Sequence, residues 1–580
     1  MTFADYFHPE NVIKLLCKYR VKHATSRHKL HLLADVSQAE KTIDDFKTKG
    51  TIPSDLLKLL PARRQWYKPK IEERRKFSSS QKLQEYAIRK TIRTVHIKSK
   101  AESFVKPGWY IELDNFLKRI KLRIANPSEQ CIQSPLIVPI RKEKTFLCKE
   151  CRPISIFTNL EDKIIITLTA KYLTDLFDPY FLDSAYAFRS TRVNKTVRTH
   201  HDTIEKINEY RSNHTNEDIF VSECDIQKFF DCLNHEDVIN AFEGFQEQNG
   251  IVVDPAASQF FKQYLDSYSF SQKVYPWNNN GYFKDKLDGC SFKWVEAELI
   301  RDFYPEHRDA TLINLKIGVP QGGAISCFIS NLFLHSVDNA VSDTNDKDLL
   351  YLRFCDDMVI LHTSRDKCEA ALERYQNAIK KLRILVHPPI EFEKYSKDFW
   401  CKKRKSKKPY KWGPRSKDKP VVPWLSFVGY NIKYDGSIRV RRKAFEKEIK
   451  KQREQGDLVL KALMQNRKSL NDTSRKARGQ QVIALESRLI SMSVGRINPF
   501  EDRIQTLCWT NGFKALNPST TAFRQLRMLD ANRTRVIRDF EKKLTKLTLP
   551  VLNPDLTNKQ RLKFFGSPFS YHNFLRKKGA

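Results

Sequence analysis

The spacing of apolar and polar residues changes character several times along this 580-residue chain. At Tyr351-Leu-Arg-Phe-Cys-Asp-Asp-Met-Val-Ile-Leu361, two apolar runs, each short enough for a strand, flank a polar tip at Cys355-Asp356-Asp357. This pattern predicts a β-hairpin with adjacent carboxylates at its turn. Strands on both sides would hold the carboxylates close together, where they repel unless a cation sits between them. Taken alone, the hairpin reads more readily as a surface turn rich in Asp.

The flanking segments have legible periods too. Pro135–Ile140 and Arg152–Phe157 read as two strands joined by a basic turn through Arg141 and Lys144, a flap whose cations could neutralise a triphosphate. A helix is predicted from Asp162 to about Phe177, with Ile165, Leu168, Tyr172 and Leu176 on its apolar face. Ile219–Ile226 is a strand carrying Asp225, followed by a helix from about His235 with Asn234 as its N-cap. Residues 244–313 are weakly patterned and read as a connecting insertion. Gly318-Val-Pro-Gln-Gly-Gly323 turns into a helix running to about Val337, with Ile325, Phe328, Ile329, Leu332 and Phe333 on one face. A second face is small (Gly323, Ser326, Cys327, Ser330), open to a bulky group near the backbone or simply to tight helix packing.

An amphipathic helix is predicted at about Arg365–Leu382, and a strand pair at Trp424–Tyr430 and Asn431–Val440. Residues 1 to about 130, and those from Arg442 onward, read as helical and basic. Lys402-Lys-Arg-Lys-Ser-Lys-Lys408 is a dense basic loop, suited to phosphate contact or to an import signal.

Charge narrows the function. Lys+Arg number 103 against 68 Asp+Glu, a formal net charge of +35. A field of that size favours a polyanion, nucleic acid first. No long apolar span, amphipathic anchor or signal-peptide layout is evident, so a cytoplasmic protein without membrane attachment is expected. Cys148-Lys-Glu-Cys151 has the spacing of half a zinc site but lacks a second pair, and reads as a loop with reduced thiols.

Three carboxylates, Asp225, Asp356 and Asp357, thus fall on predicted strand ends. Hard oxygen donors suit Mg²⁺, and two such ions are what phosphodiester synthesis needs. The ordered blocks Arg152-Pro-Ile, Tyr186-Ala-Phe-Arg189, Cys224-Asp-Ile-Gln-Lys-Phe-Phe-Asp231, Gly318-Val-Pro-Gln-Gly-Gly-Ala-Ile-Ser326, Phe354-Cys-Asp-Asp357 and Leu425-Ser-Phe-Val-Gly429 resemble the motifs of reverse transcriptases. The likeness is strongest to the bacterial group II intron, retron and defence-associated branches.

The resemblance implies an α+β fold, a right-hand polymerase. Its fingers and palm (an antiparallel sheet with helices) would span residues 131–440, with a helical thumb at 441–580 and a helical N-terminal extension at 1–130. It makes Asp225, Asp356 and Asp357 the catalytic metal ligands for two Mg²⁺, with Mn²⁺ as an alternative. It places Arg152 and Lys144 on the triphosphate, Phe230 at the position that blocks a ribose 2′-hydroxyl, and Gln321 near the templating pair. Gly322, Gly323, Lys402, Lys403, Arg404 and Lys405 would meet nucleic acid, and Lys394 is the candidate general acid. Ala324 and Cys327 stand where the family usually has prolines, and Cys355 replaces a usual Ala or Val.

The expected activity is RNA-directed DNA polymerisation from dNTPs to a DNA product. A dedicated non-coding RNA would be the template in antiphage defence, with a homo-oligomer or accessory protein left open. The alternatives are a retron-type or intron-derived enzyme, template-independent DNA synthesis, or an inactive RNA-binding scaffold.

Overall fold

The structure is a computed structural model describing residues 1–31, 53–77, 80–142, 149–190, 198–281, 283, 287, 289–308, 310–342, 345–391, 405–415, 421–465, 485, 489, 492, 497–498, 501–504, 513–546 and 570. It divides into two compact units. The first comprises Met1–Leu15, Asp45–Leu59 and Pro107–Pro423, the second Leu16–Asp44, Leu60–Lys106 and Trp424–Ala580.

Two sheets organise the first unit. β1 (Leu136–Arg141) and β2 (Glu150–Ile156) pair antiparallel, and the short β4 (Ser291–Phe292) adds parallel to β2. The larger sheet contains β3 (Ile219–Asp225), β5 (Leu350–Phe354), β6 (Asp357–His362), β7 (Lys407–Trp412) and β8 (Val421–Val422), in the order β5-β6-β3-β7-β8. Its pairs are antiparallel except β7–β8. The helix Arg365–Lys381 packs against β3, β6 and β7, and the helix Ala324–Val341 packs against it and against Leu160–Phe177. Every residue of the predicted apolar face, Ile325, Phe328, Ile329, Leu332 and Phe333, is buried there. Burial of apolar surface at roughly 25 cal/mol per Å² is what holds such layers together.

The small face of the same helix receives a side chain of the chain itself. Tyr264, from the helix Pro255–Asp266, bonds Ser326 through its hydroxyl at 2.7 Å. A Cβ on Gly323 would lie 1.8 Å from that hydroxyl oxygen. The stretch 244–313 is likewise no mere connection. Tyr268, Phe270, Val274, Phe283, Cys290 and Phe292 bury themselves around Cys151 and extend the smaller sheet through β4. Aromatic clustering without a period escapes pattern reading, because the contacts join short irregular turns. Cys148 lies outside the described residues.

In the second unit, β9 (Trp424–Phe427), β10 (Tyr430–Lys433) and β11 (Ile438–Val440) form an antiparallel meander. Gln525 accepts from the Val440 N–H at 3.0 Å and donates to its C=O at 2.9 Å, closing the edge of β11. Gln525 belongs to the helix Thr520–Lys546, which packs on Arg442–Gln465 where Gly456 approaches Val536. The helical reading after Arg442 misses a two-stranded ladder, Ile497–Asn498 with Glu501–Ile504. Asn498 precedes a proline, which disfavours helix at that position.

Candidate active site

The predicted hairpin forms, and its register sets the geometry. Phe354 pairs with Asp357, so Cys355 and Asp356 are the two turn residues. Cys355 takes φ +62°, the left-handed conformation that tight hairpin turns demand. Asp357 also pairs with Asp225 across β3–β6, which brings all three predicted carboxylates to one end of the sheet. The Asp225 main chain is fixed on both sides. Its N–H donates to Ser406 Oγ at 3.0 Å, and its C=O accepts the His387 N–H at 2.9 Å.

Below the tip lies a buried ion pair. Arg353 and Asp338 are each 1 % exposed and joined by bonds of 2.7 and 2.5 Å, with Tyr351 donating a third at 2.8 Å. Arg353 also donates to the Cys355 carbonyl at 3.0 Å, tying the turn to this pair.

The electrostatics is that of an anionic centre. Burial pushes the Asp356 carboxyl above the usual carboxylate range, and the Asp225 charge adds to it. Asp225 Oδ2 receives the Lys405 ammonium at 2.5 Å and His387 Nε2 at 3.3 Å. Lys405, expected to meet nucleic acid, thus has its charge on a carboxylate. Among the described residues no group of three or more His, Cys, Asp or Glu forms a ready-made metal cage. Asp357 is exposed. Half-buried Asp225 and Asp356 beside it fit Mg²⁺, which is commonly held by one or two carboxylates completed by substrate phosphates.

Around this end stand the other predicted residues. Arg152 is exposed on β2, without a partner among the described residues. On the same strand Glu150 takes the ammonium groups of Lys228 and Lys142, which outweigh burial and lower its carboxyl. Lys228, at φ +51°, opens the short helix Phe229–Cys232. There Phe229 is buried and Phe230 only half-buried, their ring centroids 5.0 Å apart. The turn leading to Gly323 is stitched to this helix by a 2.8 Å bond from Val319 N–H to the Phe230 carbonyl. Gln321 bridges to Ile154 on β2, and exposed Gly322 adopts φ +98°, a conformation open to glycine. Lys144, Lys394, Lys402, Lys403 and Arg404 lie outside the described residues.

Sequence reasoning missed Lys228, His387 and Ser406. It also misplaced Lys407, which is buried and bonded to Glu223 at 2.5 Å instead of being part of an open basic loop. No local signal marks them, since their partners lie about 80 to 185 residues away.

A largely antiparallel sheet presenting carboxylates at one end, backed by helices and accompanied by the smaller β1-β2-β4 sheet, is the α+β arrangement of a right-hand polymerase. Residues 140–389 match the family described as reverse transcriptase (RNA-dependent DNA polymerase). That segment makes up 250 of the chain's 580 residues. Among curated proteins none matches. Solved structures similar to the chain include telomerase from Candida albicans with a fragment of telomeric RNA, at 13% identity and TM-score 0.31, covering 90% of this chain and 87% of that one. Apo telomerase from Candida tropicalis is similar at 11% identity and TM-score 0.33, covering 91% and 79%. No described helix is long and apolar enough to cross a membrane.

Proposed function

We propose that the chain is an RNA-directed DNA polymerase joining dNTPs to a primer 3′-hydroxyl by two-metal phosphoryl transfer. The observation that carries this reading is the register Asp225↔Asp357, with Asp356 in the adjoining turn. Bound Mg²⁺ would supply acidification of the attacking hydroxyl and charge stabilisation for the leaving pyrophosphate.

The protein's own contributions follow from its side chains. Asp225 and Asp356 supply the anionic oxygens, and burial, with the Asp225 charge adding to it, raises the Asp356 carboxyl. Lys405 pairs with Asp225, and the His387 ring lies against the same carboxylate oxygen. Arg152, without a partner among the described residues, offers its guanidinium to the triphosphate, a planar donor fork suited to phosphate oxygens. Phe230 supplies the surface that excludes a 2′-hydroxyl. Template and product are held by the basic field of the chain, whose net charge is +35.

The motif resemblance further supports a defence-associated enzyme copying a dedicated structured non-coding RNA in the cytoplasm. Sequencing the nucleic acid that co-purifies with the protein tests that assignment. One recurrent structured RNA and its complementary DNA are expected, and a random RNA population without cDNA would overturn it.

A further inference from the structure

Gln321 is oriented by a carboxylate to which the proposed chemistry gives no part. Asp231 lies six residues beyond Asp225, just after Phe230, and is 3 % exposed. Its Oδ1 accepts a bond from Gln321 Nε2 at 2.7 Å. The Gln321 main chain is pinned separately, since its C=O accepts the Ser155 N–H at 3.0 Å. With the backbone fixed, the remaining freedom of this residue is largely the direction of its amide. An ionised carboxylate only accepts, so the NH₂ end must turn toward it and the carbonyl end away. Gln321 is half-buried, and its carbonyl oxygen is therefore the end left for a ligand.

We propose that Asp231 is a positioning residue that fixes the Gln321 amide so that its carbonyl oxygen, not its NH₂, meets an N–H or O–H donor of the incoming nucleotide. This rests on the polymerase reading above and adds to it a residue acting through Gln321. The same turn bonds to the Phe230 carbonyl through Val319, so the amide is held in register with the residue assigned to sugar choice.

Titration gives an independent handle. Burial pushes the Asp231 carboxyl up to about 6, against the charge of Lys228 and the Gln321 bond, which pull it down. Glu150, Lys142, Cys232 and Tyr268 are the other titratable groups within its field. Above pH 6 the carboxylate only accepts. Below it, a protonated Asp231 can donate, and the Gln321 amide is free to reverse. Because the folded value is raised, the ionised form costs stability, a cost that sets in as pH rises from about 4 to 6 and is complete above. Asp231→Asn removes that charge and is expected to fold at pH 8.

The test is steady-state primer extension on an RNA template at pH 8 with wild type, Asp231→Asn, Gln321→Met and the double variant. Asp231→Asn adds a donor beside the acceptor and so lets the Gln321 amide reverse, and the dNTP KM should rise about five- to tenfold, as loss of one ordered hydrogen bond to the nucleotide does, with kcat within about twofold. The double variant should be no worse than Gln321→Met alone, because the first residue acts through the second. The wild-type KM should also rise as pH falls below about 6, relative to Gln321→Met. An unchanged KM in Asp231→Asn, or costs that add in the double variant, would overturn the assignment while leaving the polymerase reading intact. Should Asp231→Asn fail to fold, the wild-type profile decides, and a flat KM from pH 5.5 to 8 overturns the assignment. Absence of extension by the wild type would overturn both.

Discussion

Asp338→Ala would remove the carboxylate beneath the Asp356 hairpin and leave the Arg353 guanidinium buried without its counterion. Both residues are 1 % exposed, so water cannot take the place of the lost oxygens without opening the core. Breaking a buried pair from one side costs about 3–5 kcal/mol, because the surviving charge stays desolvated. The Tyr351 hydroxyl also loses its acceptor, worth about 1 kcal/mol more. Against a typical stability of about 5–15 kcal/mol, that is a large fraction. The damage should reach function as well, since the same guanidinium holds the Cys355 carbonyl beside Asp356. Urea unfolding of Asp338→Ala, followed by circular dichroism, should show a clearly lowered midpoint, and nucleotide incorporation should fall even where the variant remains folded. The double variant Asp338→Leu with Arg353→Met removes both charges and should recover at least half of the lost stability. A cost below about 1 kcal/mol for Asp338→Ala, or a double variant as unstable as the summed singles, would refute this account.

Phe230→Ala should admit ribonucleotides, read as a fall in the dNTP-to-rNTP ratio of kcat/KM, whereas Phe229→Ala should mainly destabilise the fold by about 3–5 kcal/mol. Discrimination that survives Phe230→Ala in an active enzyme means another residue is the gate. Gly323→Ala would drive a methyl to 1.8 Å from the Tyr264 hydroxyl oxygen, a clash costing about 1–3 kcal/mol that Tyr264→Phe should partly relieve; equal melting temperatures of Gly323→Ala and wild type would contradict the packing described. Arg524, Arg527, Arg535 and Arg538 share one exposed face of the helix Thr520–Lys546. Changing all four to Gln should reduce the salt dependence of duplex binding by about 3 to 4 in log–log slope if each meets a phosphate, and an unchanged slope would remove that face from the interface.

The hairpin was readable because alternation, strand length and the position of its two Asp residues all agree, and the strand ending at Asp225 was readable for the same reason. The order of the motifs supplied what spacing could not, namely that strand ends about 130 residues apart meet. Burial of Phe229 beside a half-exposed Phe230 was not legible from hydrophobicity, since identical side chains differ only in which way the short helix turns them. Lys405 shows the limit most clearly. Its sequence context is a run of cations, which reads as a phosphate-binding loop, and only the bulged pairing of β7 with β3 carries it to Asp225. The insertion between Gly244 and Ile313 failed for a different reason, because its core is an aromatic cluster and not an amphipathic element.

Extension of a DNA primer on an RNA template, with dNTPs and Mg²⁺, by wild type and by Asp356→Asn tests the central claim most directly. The substitution keeps the shape of the turn and removes one anionic oxygen from a centre whose transition state depends on several kcal/mol of charge stabilisation. The account predicts robust extension by wild type and essentially none by Asp356→Asn, with RNA binding and thermal stability little changed. Full extension by Asp356→Asn would contradict it.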